Sequence, residues 1–146
     1  MWHEIHTQQE LTDFLKDILY FHDSCIKEMN YYSGAYVDDQ LSMYPINDVR
    51  KLSVILQRQF QDMPMLELEF SGLKCLKLLP MDPNYSCDIQ EATIVKHGEC
   101  FYWCDCEPID MNKILDYEGT IIIAEKFRWR MLRCTLGQEP FFRATQ

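Results

Sequence analysis

His22 and Asp23 stand side by side at the end of a helical stripe, and such a pair can open the metal centre of a histidine-aspartate phosphohydrolase. That centre also needs further histidines and an aspartate presented by several helices. His3, His6 and His97 lie in segments that lack this helical context. The preferred reading is structural: Asp23 accepts backbone N–H bonds at a turn, and His22 bridges the end of the helix and the start of a strand.

Cys100, Cys104 and Cys106, with His97 nearby, resemble a zinc cluster in composition but not in spacing. In an extended strand Cys100 and Cys104 stand about 13 Å apart at roughly 3.3 Å per residue. One tetrahedral ion cannot bridge that distance, and there is no C-x-x-C knuckle. Buried thiols without chemistry are the expectation, since no histidine is placed to activate one.

Asp82, Asn84, Ser86 and Asp88 recur like the first half of a calcium loop, but Cys87 occupies the place of the required glycine and Thr93 that of the bidentate glutamate. Glu67 and Glu69 share a strand face at roughly 7 Å, a separation compatible with paired-carboxylate hydrolysis and also with any outward polar face. The sequence therefore predicts no catalytic residue, no metal and no cofactor. The alternative is a small metal-binding protein or hydrolase using His22, Asp23 and the Cys100 to Cys106 segment.

Tyr31, Tyr32, Tyr36 and Tyr44, interleaved with Asp38 and Asp39, form the densest tyrosine stretch of the chain. Tyrosine suits recognition because its ring buries area while its hydroxyl stays paired. Tyr31, Tyr32, Tyr36, Asp38 and Asp39 are the candidate partner-binding residues, weighed against a core role for half of the rings.

The 146 residues, taken as a single domain spanning 1–146, carry a net charge of −9 that repels nucleic acid and favours a basic protein partner. Self-association is compatible with this composition. Seven cysteines, an odd number, fit a reducing cytoplasm better than a closed set of disulfides. The N-terminus has neither a basic nor an apolar leader region, and Ile121-Ile122-Ile123-Ala124 is too short to span a bilayer. Arg143 to Gln146 is expected to be disordered.

The elements that position these residues follow from periodicity. Thr7-Gln8-Gln9-Glu10 predicts a capping box, and Leu11, Phe14, Leu15, Ile18 and Leu19 predict an amphipathic helix over about residues 8 to 21. Strands are predicted from Cys25 to Tyr32, Arg50 to Phe60, Leu66 to Phe70, Leu73 to Leu79, Ile89 to Val95, Cys100 to Cys104 and Thr120 to Met131. Glu67 and Glu69 point outward in this reading, Ser71-Gly72 makes a turn or bulge, and Gly98 sits in a tight hairpin. A short helix over Asp110 to Tyr117 is followed by Gly119 in a capping position. The fold class is α+β, with the N-terminal helix packed on a five- or six-stranded, mainly antiparallel sheet.

Phe21-His22-Asp23-Ser24-Cys25-Ile26 after a helix, followed by Leu66-Glu67-Leu68-Glu69-Phe70-Ser71-Gly72-Leu73, resembles short bacterial proteins with an aromatic-His-Asp turn and a later E-x-x-F-x-G-[LV] segment. Some of these are grouped with the immunity proteins of polymorphic toxin systems. The resemblance spans about residues 8 to 80. It implies structural roles for His22, Asp23, Phe70 and Gly72 and carries over no catalytic residue; many of these proteins have no assigned role, and an immunity protein among them would be a non-enzymatic binding protein with a toxin as partner.

Overall fold

The chain enters its first strand, β1 (His3–Ile5), and then a capping box. Thr7 Oγ1 accepts from Glu10 N at 3.2 Å, and Glu10 Oε2 accepts from Thr7 N at 3.0 Å, so two N–H groups that helix geometry leaves open are satisfied. Hydrogen bonds from the His6 and Thr7 amides hold the Glu10 carboxyl below the usual range. Helix α1 (Gln8–Asp17) follows, burying Leu11, Phe14 and Leu15.

The helix ends at Asp17, earlier than periodicity predicts, because Leu19, Tyr20 and Phe21 take φ of 53°, 52° and 65°. Side chains rarely adopt this left-handed region, so the turn is strained. Full burial of Phe21 and two bonds at the helix end hold it in place: Arg58 donates to Ile18 O at 3.1 Å, and Ala92 N to Tyr20 O at 3.1 Å. Burial pushes the Arg58 guanidinium below its ordinary value.

The computed structural model describes residues 1–106 and 110–142. Beyond the turn come β2 (Ser24–Tyr32), β3 (Tyr36–Val37), β4 (Met43–Tyr44), β5 (Lys51–Arg58), β6 (Met65–Lys77), β7 (Thr93–His97), β8 (Cys100–Cys104) and β9 (Ile121–Met131). The fold is α+β and mainly antiparallel sheet. The main sheet has seven strands, not five or six: its order is β2-β5-β6-β9-β8-β7, with β1 also paired to β9. β3 and β4 form a separate two-stranded hairpin. The strand added to the main sheet is β1; like the strands of the separate hairpin, it is too short to display an alternation.

One face of the sheet presents Leu52, Val54, Leu56, Leu66, Leu68, Phe70 and Phe127, clustered with Leu11, Phe14, Leu15 and Ile18. The Phe14 ring stands 5.7 Å from Phe127 and 4.8 Å from Trp129. The other face buries Ile55, Met65 and Leu132 beside Phe141 and Phe142. β5 is thus covered on both sides.

Covering of the second face overturns the outward placement of Glu67 and Glu69, which are only 4% and 5% exposed. Their charge is met across the strands. Arg130 Nε lies 2.7 Å from Glu67 Oε2, Arg128 Nε lies 2.8 Å from Glu69 Oε1, and Ser53 donates to Glu67 Oε1 at 2.5 Å. The Trp2 ring covers both guanidinium groups, its centre 4.4 Å from each central carbon. Buried charge is tolerated here because it is paired and hydrogen-bonded.

Ser71-Gly72 is not a turn: β6 runs through it, and the register shift comes later, between Leu73 and Cys75. Gly72 nevertheless has φ of +64°, and a Cβ there would stand 2.5 Å from Glu125 Oε2. The hairpin with Gly98 at φ of +60° forms as the sequence suggests. The predicted strand from Ile89 is regular only from Thr93; Ile89 itself makes one isolated antiparallel bridge to Ser24. Residues Met111–Asp116 form a 3₁₀ turn, and Gly119 packs beside the Tyr117 ring and does not cap it. Arg143 to Gln146 lies outside the described residues.

Candidate functional site

The segment between β2 and β5 leaves the sheet as an excursion and returns to it. Ser33 O accepts from both Val49 N (3.0 Å) and Arg50 N (3.1 Å), which pins the two ends together. Gly34 permits this approach: at φ of +100°, a Cβ would stand 2.3 Å from Asp48 Oδ1 and 2.8 Å from Val49 Cγ2. Within the excursion β3 pairs with β4 so that Tyr36 faces Tyr44, their rings stacked at 4.8 Å. Tyr31 donates from its hydroxyl to Asn47 Oδ1 at 3.0 Å.

All four tyrosines are exposed, Tyr32 and Tyr36 by more than half (57% and 56%), so this group contributes no ring to the core. Leu41, Met43 and Ile46 add exposed apolar surface to the same excursion. Sequence reasoning missed these three, because an apolar side chain is assigned to a core by default. From Tyr31 to Val49 the chain holds three aspartates and no lysine or arginine. That absence of cations was readable in the sequence and marks the excursion as apolar and acidic together.

Asp38 and Asp39 differ in role. The Asp38 carboxylate accepts from Gln40 N and Ser42 N, both at 2.9 Å, so it builds the hairpin turn. Asp39, the next residue, is exposed at that turn. Asp39, unlike Asp38, has its charge presented outward without a turn-forming task in this network.

The remaining sequence candidates are accounted for locally. His22 Nδ1 lies 2.7 Å from Gln90 O, tying the turn to the segment before β7, and His22 Nε2 lies 3.6 Å from Asp23 Oδ1. Asp23 has φ of 53° and joins two segments through its backbone, donating to Ile89 O and accepting from Gln59 N, both at 3.1 Å. Phe70 is fully buried, its ring 5.1 Å from Phe127. Asp82 accepts from Asn84 N at 2.8 Å inside its own turn. The Ser86 hydroxyl hydrogen-bonds to Asp88 and holds that carboxyl below its ordinary value.

Cys104 and Cys106 approach each other with sulfurs 3.6 Å apart, while Cys100 lies at the opposite end of β8 facing His97. Burial, then the neighbouring Cys106, pushes the Cys104 thiol up to about 12. Between these cysteines Asp105 Oδ1 accepts from the Tyr117 hydroxyl at 2.7 Å and from Thr120 N at 3.2 Å. Burial and the Asp105 bond push the Tyr117 phenol upward. Among the described residues no group of three or more histidine, cysteine or acidic side chains is arranged to hold a metal ion, and no helix is long and apolar enough to cross a membrane.

A cleft of about 510 Å³ lies beside β2, with Ile26, Leu79 and Ile89 among its apolar lining and Asp88, Glu91 and Asp105 on its polar side. No family model, curated protein or solved structure matches this chain.

Proposed function

We propose that this chain is a non-enzymatic binding protein that receives a basic protein partner on the tyrosine-rich excursion between β2 and β5. The observation that carries the reading is the conjunction of exposed Tyr31, Tyr32, Tyr36 and Tyr44 with three aspartates and no cation over the same stretch. Aromatic rings supply contact area at low entropic cost, and the acidic field speeds encounter with a positive surface. The resemblance to immunity proteins makes a toxin the partner class and a bacterial cytoplasm the setting. In this reading the helix laid against the sheet through Phe14 is scaffold, and so are His22, Asp23, Phe70 and Gly72.

The metal-protein or hydrolase reading has less support. His22 Nδ1 is already engaged by a backbone carbonyl, and a thiol raised as far as that of Cys104 stays protonated at neutral pH. The test is kinetic. With a co-purified partner, the association rate falls as salt rises over a Debye length of about 8 Å at physiological strength. Asp39→Asn slows association, whereas Tyr36→Ala mainly speeds dissociation. An acidic partner, or an association rate indifferent to salt, overturns the reading.

A further inference from the structure

The path through the main sheet ends on two strands, β2 and β7, and they are treated differently. At β7 the helix intervenes: Lys96 N donates to Gln8 Oε1 at 3.2 Å. At β2 the outer side is paired, among the described residues, only at its first residue, where Ile89 N donates to Ser24 O at 2.7 Å. A register shift between Ile26 and Glu28 then interrupts the ladder to β5, and the Lys27 ammonium is drawn aside to Gly137 O. Beyond it, Met29 to Tyr32 pairs with β5 on one side, and among the described residues no backbone group lies paired on the other. Asn30, Tyr31 and Tyr32 are exposed there.

An open edge of this kind offers N–H and C=O groups at the spacing of a strand. The shift at Lys27 bends the strand and limits indiscriminate pairing to its far end. That end runs directly into the tyrosine-rich excursion. Tyr31 pairs with Leu52, whose side chain belongs to the core face, and Tyr32 with Lys51, so successive rings flank the edge on opposite faces.

We propose that Met29 to Tyr32 accepts an extended, basic segment of the partner as an added strand. The occupant follows from charge. A second copy of this chain would bring another net charge of −9 to an edge that runs into the stretch carrying Asp38, Asp39 and Asp48, whereas a lysine- or arginine-bearing segment meets a complementary field. Main-chain hydrogen bonds supply affinity, and Tyr31 and Tyr32 read alternate side chains of the added strand. The inference rests on the basic-partner reading and specifies how that partner is held.

The test uses the full chain, isotope-labelled for NMR, and three short capped peptides. One alternates lysine and valine. The second is the same peptide N-methylated at every residue, which removes the hydrogen-bond donors of both edges. The third alternates glutamate and valine. The expected result is a lysine peptide that binds with a dissociation constant below about 1 mM, with shifted and exchange-protected amides confined to Met29 to Tyr32. The methylated peptide then loses that protection, and the glutamate peptide binds at least about tenfold more weakly. Equal binding by the methylated peptide overturns strand addition and leaves the basic-partner reading standing. Equal binding by the glutamate peptide, with Met29 to Tyr32 protected, supports the added strand and overturns the charge argument for its occupant. Binding by none of the three, or protection centred away from β2, overturns the proposal.

Discussion

Glu67 and Arg130 face each other on β6 and β9, with Arg130 Nε 2.7 Å from Glu67 Oε2 and 4% of Glu67 exposed. The two ends of this pair are unequal, because the Arg130 side chain keeps 35% exposure. Arg130→Ala strands a buried carboxylate and is expected to cost about 2 to 4 kcal/mol, while Glu67→Gln keeps an acceptor for Ser53 and costs about 1 to 3 kcal/mol. Urea unfolding with an unchanged slope measures both. A larger loss for Glu67→Gln than for Arg130→Ala would contradict the burial asymmetry.

Phe14→Ala removes a ring that is 3% exposed and stacks on Trp129, and is expected to cost about 3 to 5 kcal/mol by leaving a cavity. A loss below about 1 kcal/mol would mean that the helix contributes little to the core. Thr7→Ala, which removes one half of the capping box, is expected to cost about 1 kcal/mol, seen as a lowered melting point.

Gly72→Ala puts a Cβ where φ is +64° and the Glu125 carboxylate already stands. Glu125 is held by Lys74 at 2.7 Å, so it yields only by breaking that pair. The substitution is expected to cost about 1 to 2 kcal/mol, and Glu125→Ala in the same background should relieve the steric part. Denaturant midpoints of the two variants separate backbone strain from crowding.

Alkaline pH is expected to destabilise the protein. The Cys104 thiol has its folded value raised from 9.0 to about 12, so above pH 9.0 the unfolded chain gives up a proton that the folded chain keeps. The folded state then binds more protons, and stability falls with rising pH until the folded thiol also ionises. Tyr117 shifts in the same direction. Cys104→Ala should therefore shallow the decline without abolishing it. A profile identical to that of the parent would show that Cys104 carries none of it.

Much of the scaffold was legible in the residues themselves. The capping box at Thr7 and Glu10, the hairpin around Gly98 and the strands of β2, β5, β8 and β9 each announce themselves by local chemistry or alternation. What escaped depends on partners far away in the chain. Glu67 reads as a solvated residue until Arg130 and the C-terminal Phe141 and Phe142 cover that face. The early helix end is likewise set by Arg58 reaching back to Ile18, a contact that no helical periodicity encodes. The tyrosine stretch was found by density, yet the division between Asp38 and Asp39 required the geometry of the turn.

β9 lies between β6 and β8 and also carries β1, so its eleven residues hold together strands from both halves of the chain. A nascent polypeptide that has emerged only through Thr120 has β5 and β6 ready to pair, but the β7–β8 hairpin and β1 have no strand through which to join them. Closing the Glu4–Arg128 pair spans a separation of 124 residues. Such late, long-range pairing slows folding and leaves strand edges exposed to other chains while synthesis finishes. The timing of assembly is therefore set at the ribosome by the arrival of Ile121 to Met131, and shielding is needed most while β6 waits for it.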